Sequence, residues 1–280
     1  MKYANVKGVV LDMDGVLWRG DQPLPGLAEL FEWLDESATP YALATNNSSK
    51  TPAQCAAKLA SMGVPDVAPE RIVTSSTATA SYMAERYPAG TTVYALGMDA
   101  MREALDDAGF DVIADGQPDV VVAGVKFDLS YDDLRRATLC IRAGADFIGT
   151  NPDRTFPTPE GLVPGAGSII AALTAATDAE PVIIGKPARP MFDAALAVTG
   201  TDAGQTLMIG DRLETDICGG RDAGLLTALV FTGVATPQDL TDPDNAIWPD
   251  VAYEGLPELL KAWAGARWYL DKMKVKKGRA

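Results

Sequence analysis

The chain has 280 residues, enough for one large or two modest domains, and its 22% charged and 47% apolar content is that of a soluble globular protein. Its net charge of −14 argues against nucleic acid and against an anionic membrane surface as partners, and no apolar run of about 18 residues is present to cross a bilayer. There is no histidine, which excludes a Ser-His-Asp triad, a Cys-His dyad and a phosphohistidine, and leaves acid–base chemistry to carboxylates, lysine or tyrosine.

Residues 1–7 lead straight into an apolar run without signal-peptide architecture, so the cytoplasm is the expected compartment. Residues 8–11 read as a buried strand that ends in Asp12 and Asp14. On extended backbone the i, i+2 spacing turns both carboxylates to one face, and Gly15 then permits a sharp turn with an exposed N–H. Such a pair can hold Mg²⁺, which prefers hard oxygen ligands. One acid can also attack phosphorus while the other moves a proton. The same residues equally suit a plain strand closed by an Asp-Gly turn. Trp18 and Arg19 follow, and suit either a site entrance or packing. A helix is predicted over 26–36. An apolar stretch from Tyr41 then ends in a hydroxyl and two amides, Thr45, Asn46 and Asn47. Thr51-Pro52 supplies an N-cap and an N1 proline for a helix over 51–62, and a short strand over 72–74 precedes a helix over 77–86.

A second βα series begins near residue 92. Strands are predicted over 93–96, 120–124 and 146–149, and helices over 100–108 and 131–143. A Pro/Gly-rich loop over 152–167 and a helix to 176 follow. Two further apolar runs end in polar residues: 182–185 before Lys186-Pro187, and 207–210 before Asp211, with Asp216 just beyond and Glu214 between them as a solvated helix-start acid. This βαβα rhythm predicts an α/β protein with a doubly wound parallel sheet. Ligands bind beyond the carboxyl ends of such strands, so the four polar sets are expected at one rim. None of the four lies between 79 and 181. We therefore expect an inserted α/β cap domain over 79–181, with 1–78 and 182–280 forming one discontinuous core. Cys55, Cys140 and Cys218 lie far apart without a CxxC, as expected of buried or helical thiols rather than a zinc site. The basic segment 272–279 suits a solvated tail or a contact for an acidic partner.

The ordered set Asp12-Met13-Asp14-Gly15-Val16-Leu17, Thr45, Lys186 and Gly210-Asp211 with Asp216 resembles the haloacid dehalogenase superfamily of phosphatases. The long insert between Thr45 and Lys186, with Thr150-Asn151-Pro152-Asp153 inside it, is similar to the NagD and 4-nitrophenylphosphatase branch. The resemblance implies a Rossmann-like core and a Mg²⁺-dependent phosphatase. By it, Asp12 is the nucleophile that forms an aspartyl-phosphate, and Asp14 protonates the leaving alkoxide and then activates water. Mg²⁺ takes an oxygen of Asp12, the backbone carbonyl of Asp14, and Asp211. Asp216 either ligates the metal or orients a metal-bound water or Lys186. The Thr45 hydroxyl and the Asn46 N–H meet the phosphate, Lys186 neutralises it, Gly15 is expected beside the substrate, and Asn47 is expected against substrate or cap, although it equally suits a plain turn. Asn151, Asp153 and Arg154 in the cap loop are expected to face the substrate, although they equally suit a surface turn.

The expected substrate is a small phosphorylated metabolite, and a homodimer through the cap is implied by the family alone. The four motifs do not distinguish water from a second substrate as phosphoryl acceptor. A phosphotransferase or mutase therefore stays open, as does a phosphometabolite-binding protein without turnover. A dehalogenase is disfavoured, because it needs no metal and this chain keeps the acids of a Mg²⁺ site.

Overall fold

The computed structural model describes residues 5–158 and 160–264. The expectations for residues 1–4 and for the basic segment 272–279 lie outside the described residues. The chain divides into two compact units, one made of Met1–Leu43, Leu59–Val67 and Ala195–Ala280, the other of Ala44–Lys58 and Ala68–Ala194.

In the first unit the strands Val251–Tyr253, Leu226–Val230, Thr206–Gly210, Gly8–Leu11 and Tyr41–Thr45 lie side by side in that order, all parallel. The last of these runs two residues past the unit boundary. Gly8–Leu11 and Thr206–Gly210 are apolar almost throughout and buried at every residue, the pattern of a parallel strand covered on both faces. Leu11 pairs with Leu43 on one side and Ile209 on the other. The chain leaves Gly8–Leu11 in one direction and returns on its other flank at Thr206–Gly210, so the topological switch point falls between these two strands. That is where open α/β sheets bind ligands. The helix Leu27–Glu36 turns Leu27, Leu30, Phe31 and Leu34 inward, an i, i+3, i+4, i+7 stripe. Phe31 meets Tyr41 edge to face, with ring centroids 5.4 Å apart.

The second unit carries a parallel sheet in the order Val182–Ile183, Asp146–Gly149, Val120–Ala123, Thr92–Leu96 and Asp111–Val112. The helices Tyr131–Arg142 and Ala166–Thr177 bring Ala137, Cys140, Ile141, Ile169, Ile170 and Leu173 into one core with Tyr94, Val121 and Phe147. Ser130 caps the first of these helices reciprocally with Asp133. Thr51 and Gln54 make the same exchange at Pro52–Ser61, as the Thr-Pro signal predicts.

The structure departs from the sequence reading in places. The expected loop over 152–167 contains an antiparallel ribbon, Thr155–Thr158 with Gly161–Pro164. Its prolines argue against strands, but both strands of a two-stranded ribbon are edges, where proline is tolerated. The helix expected from residue 77 starts at Ser75, because the Thr74 side chain accepts the Thr77 N–H and caps it. The strands Leu226–Val230 and Val251–Tyr253 and the helix Arg189–Thr199 were not anticipated. Cys55 and Cys140 are buried and Cys218 is half-buried. Among the described residues no helix is long and apolar enough to cross a membrane.

Leu43 is fully buried in the first unit, between Ala42 and Ala44 on its strand. Leu43→Ala should lower unfolding free energy by about 2–5 kcal/mol, read from the midpoint of urea denaturation with the m-value unchanged.

Candidate functional site

In the first unit the sheet register places the acids. Leu11 pairs with Ile209, and the Asp12 N–H donates to the Ile209 carbonyl at 2.9 Å. Asp12 and Asp211 are therefore the first residues beyond two neighbouring parallel strands. Asp216 returns to the same place through a single π-helical turn, Leu213–Ile217, a form that recurs at functional sites. Asp12, Asp211 and Asp216 are 8%, 1% and 1% exposed. Each offers a carboxylate oxygen, and these oxygens lie within 4.8 Å of one another. Three buried anionic oxygen donors are the ligand chemistry that Mg²⁺ prefers, so the residues present fit that ion.

Backbone donors hold this cluster in shape. One Asp216 oxygen, Oδ2, accepts the N–H groups of Asp211 and Arg212 at 3.2 and 3.1 Å, which fixes the start of the loop. Oδ2 of Asp211 accepts the Val234 N–H at 2.7 Å, and its carbonyl accepts the Ala235 N–H at 2.9 Å. Gly233 packs so close that a β-carbon there would run into the Asp211 carboxylate. Thr232 donates its hydroxyl to the Gly15 carbonyl at 2.7 Å, and the Thr232 carbonyl accepts from the Arg19 guanidinium at 2.6 Å. The segment 232–235 thus ties the first acidic loop to the last. Sequence reasoning passed over it, although it bears the same signal as the others, an apolar run ending in polar and glycine residues.

The turn after Asp12 also differs from expectation. Gly15 adopts φ +90°, the left-handed conformation that glycine favours. Its N–H donates to the Trp18 carbonyl at 2.8 Å instead of standing exposed. The Asp14 side chain lies outside the three-carboxylate cluster and is exposed, with Oδ1 accepting the Trp18 indole N–H at 2.7 Å. Glu214 is exposed, as expected.

In the second unit Thr45 closes its strand and is buried, and its hydroxyl oxygen accepts the Asn47 N–H at 3.1 Å. The Asn47 side-chain oxygen caps Ser49, accepting from its N–H and hydroxyl at 2.8 and 2.7 Å. Asn46 is the hub. Its side-chain amide donates to the Lys186 carbonyl at 2.9 Å and to Asp153 at 3.2 Å. Its own carbonyl accepts from Asn151 and from the Ser75 hydroxyl, both at 2.7 Å. Lys186, which on a strand end would ordinarily reach solvent, is 3% exposed. Asn151 is buried and braces the Asn46 loop, whereas Arg154 is exposed. Ser75 was not anticipated, although the polar run Thr74-Ser75-Ser76-Thr77 after Ile72-Val73 carries the same strand-end signal.

The chain is similar to known proteins over most of its length. A model of haloacid dehalogenase-like hydrolases matches residues 9–111, and a second HAD-hydrolase-like model matches residues 183–259. A 5′-nucleotidase of Bacillus subtilis is 39% identical over 245 residues, spanning 86% of this chain and 94% of that protein. The crystal structure of a 4-nitrophenylphosphatase from Thermotoga maritima superposes with a TM-score of 0.88 at 36% identity, covering 94% of this chain and 99% of that one. A glycerol phosphate phosphatase from Mycobacterium tuberculosis, solved in complex with magnesium, superposes with a TM-score of 0.84 at 33% identity, covering 92% and 77%.

The close approach at Gly233 makes a prediction about metal affinity. Gly233→Ala should raise the Mg²⁺ concentration needed for half-maximal thermal stabilisation about tenfold, because the methyl displaces Asp211. Gly204→Ala, where a β-carbon meets open space, should leave it unchanged.

Proposed function

The chain belongs to the haloacid dehalogenase-like hydrolases and is a phosphatase of their NagD and 4-nitrophenylphosphatase branch, and on that premise we propose that it hydrolyses small-molecule phosphate monoesters with Mg²⁺ through an aspartyl-phosphate on Asp12. The observation that carries the reading is the buried cluster of Asp12, Asp211 and Asp216, with carboxylate oxygens within 4.8 Å. These residues would hold Mg²⁺, which when bound neutralises charge on the carboxylates and on the phosphoryl oxygens.

Asp12 attacks phosphorus in line, the ester P–O bond breaks, and Asp14 gives its proton to the departing alkoxide. Asp14 then takes a proton from the water that attacks the aspartyl-phosphate. The P–O bond to Asp12 breaks, inorganic phosphate leaves, and both side chains return to their starting states. Thr45 donates its hydroxyl to a phosphoryl oxygen. The Thr45 hydroxyl oxygen already accepts the Asn47 N–H, which supports its hydrogen being given elsewhere. Lys186 neutralises the transferring group, with the Asn46 N–H beside it. The hydrogen bonds of Asn151 and Asp153 support a bracing role for them, and exposed Arg154 suits contact with the substrate.

Nucleotide, nitrophenyl and glycerol phosphate esters appear among the names of the relatives, which supports a small phosphorylated metabolite as substrate. We assign its selection to the inserted segment 79–181, with 1–78 and 182–280 as the catalytic core. A cytoplasmic setting and a homodimer through the insert belong to the same proposal.

Phosphate release from a panel of nucleoside monophosphates, sugar phosphates, glycerol phosphate and 4-nitrophenyl phosphate tests it. We expect release from at least one ester, lost on chelation of Mg²⁺ and reduced about a thousandfold or more by Asp12→Asn. Folded, Mg²⁺-saturated protein that releases phosphate from none of them contradicts the reading.

A further inference from the structure

Trp18 is 3% exposed, whereas Asp14, the carboxylate that its indole N–H meets at 2.7 Å, is exposed. The indole is buried, and the backbone that carries it is held at several points. Its residue donates its own N–H to the Met13 carbonyl at 3.4 Å and accepts the Gly15 N–H at 2.8 Å. Trp18–Arg19 forms a short antiparallel ladder with Gln22–Pro23, and Arg19 is anchored to the Thr232 carbonyl at 2.6 Å. The ring is therefore the fixed member of the pair and the carboxylate the movable one.

An exposed aspartate left to itself samples several rotamers, and ordering a side chain has an entropic cost. A proton donor works only within hydrogen-bond reach of the oxygen it serves. We propose that Trp18 is a positioning residue: its buried indole N–H grips Oδ1 of Asp14 and so fixes the direction in which Asp14 presents its other oxygen to the leaving group. The inference rests on the phosphatase reading, with Asp14 as the acid. It adds a role for a residue that sequence patterning leaves divided between packing and site entrance.

The leaving group provides a readout that packing alone does not move. A 4-nitrophenolate departs without a proton, whereas an alkoxide needs one. The ratio kcat/KM reports steps up to formation of the phosphoryl-enzyme, before water enters. Trp18→Phe removes the N–H and keeps an aromatic ring. It should lower kcat/KM for glycerol phosphate about tenfold or more, within the range that general acids contribute, and for 4-nitrophenyl phosphate by less than about threefold. In an Asp14→Asn background the same change should add no selective loss. Benzothienylalanine at position 18, which keeps the bicyclic shape without the N–H, should reproduce the effect should the smaller phenyl ring leave the turn unfolded. Equal losses on the two esters, or none on either, would overturn the proposal. Wild-type protein assayed across the same panel of esters separates the two layers: an alkyl ester that it cleaves takes the place of glycerol phosphate where it does not cleave that one, and if it is inert on every ester the phosphatase reading falls, and this inference with it.

Discussion

Three carboxylates buried within 4.8 Å of one another are the constraint on which the first unit turns. Two like charges at that separation repel by about 3.5 kcal/mol at an effective dielectric of about 20. A fold that gathers Asp12, Asp211 and Asp216 therefore carries a mutual repulsion among them that favourable contacts must offset. Three features of the unit hold the acids there. The register Leu11↔Ile209 sets two strand ends level, the π turn brings Asp216 back, and the segment 232–235 closes over Asp211.

Backbone groups take part in the holding. Asp216 accepts two backbone N–H groups, Asp211 accepts the Val234 N–H, and Gly15 is fixed through both its N–H and its carbonyl. Backbone donors belong to the sheet and its loops and lose little further entropy on ordering, so they suit a site that must keep its geometry before a ligand binds. Side chains enter where the backbone cannot reach: the indole of Trp18 at Asp14, and the amides of Asn46 and Asn151 around the Lys186 loop. Val234 illustrates the division, since the residue is 57% exposed while its N–H holds Asp211.

The strand-end positions of Asp12, Thr45 and Asp211 were legible in the sequence because each follows an apolar run, and in one parallel sheet such runs end at one edge. Lys186 instead follows Val182–Ile183 in the second unit's sheet, so the expectation of four polar sets at the rim of a single sheet does not hold for it. The alternation of strands and helices likewise gave the α/β class. What stayed hidden depends on approaches between distant segments. The Thr232–Gly15 bond spans 217 residues and the Asn46–Lys186 bond 140, and no local pattern encodes either. Gly233 reads as a turn glycine until Asp211 is placed against it. The Trp18–Asp14 bond is local, at a separation of four, but a helix-like spacing in a non-helical turn gives no sign that the two side chains meet. The ribbon in 152–167 was masked by its prolines, which mark loops more often than edges.

The claim that the carboxylate cluster is a cation site is tested most directly by calorimetric titration of the full chain with Mg²⁺ in the absence of any ester. One ion bound per chain, with a melting temperature that rises as the site fills, is the predicted result. Folded protein that takes up no heat-producing equivalent and melts at the same temperature across millimolar Mg²⁺ would contradict the account.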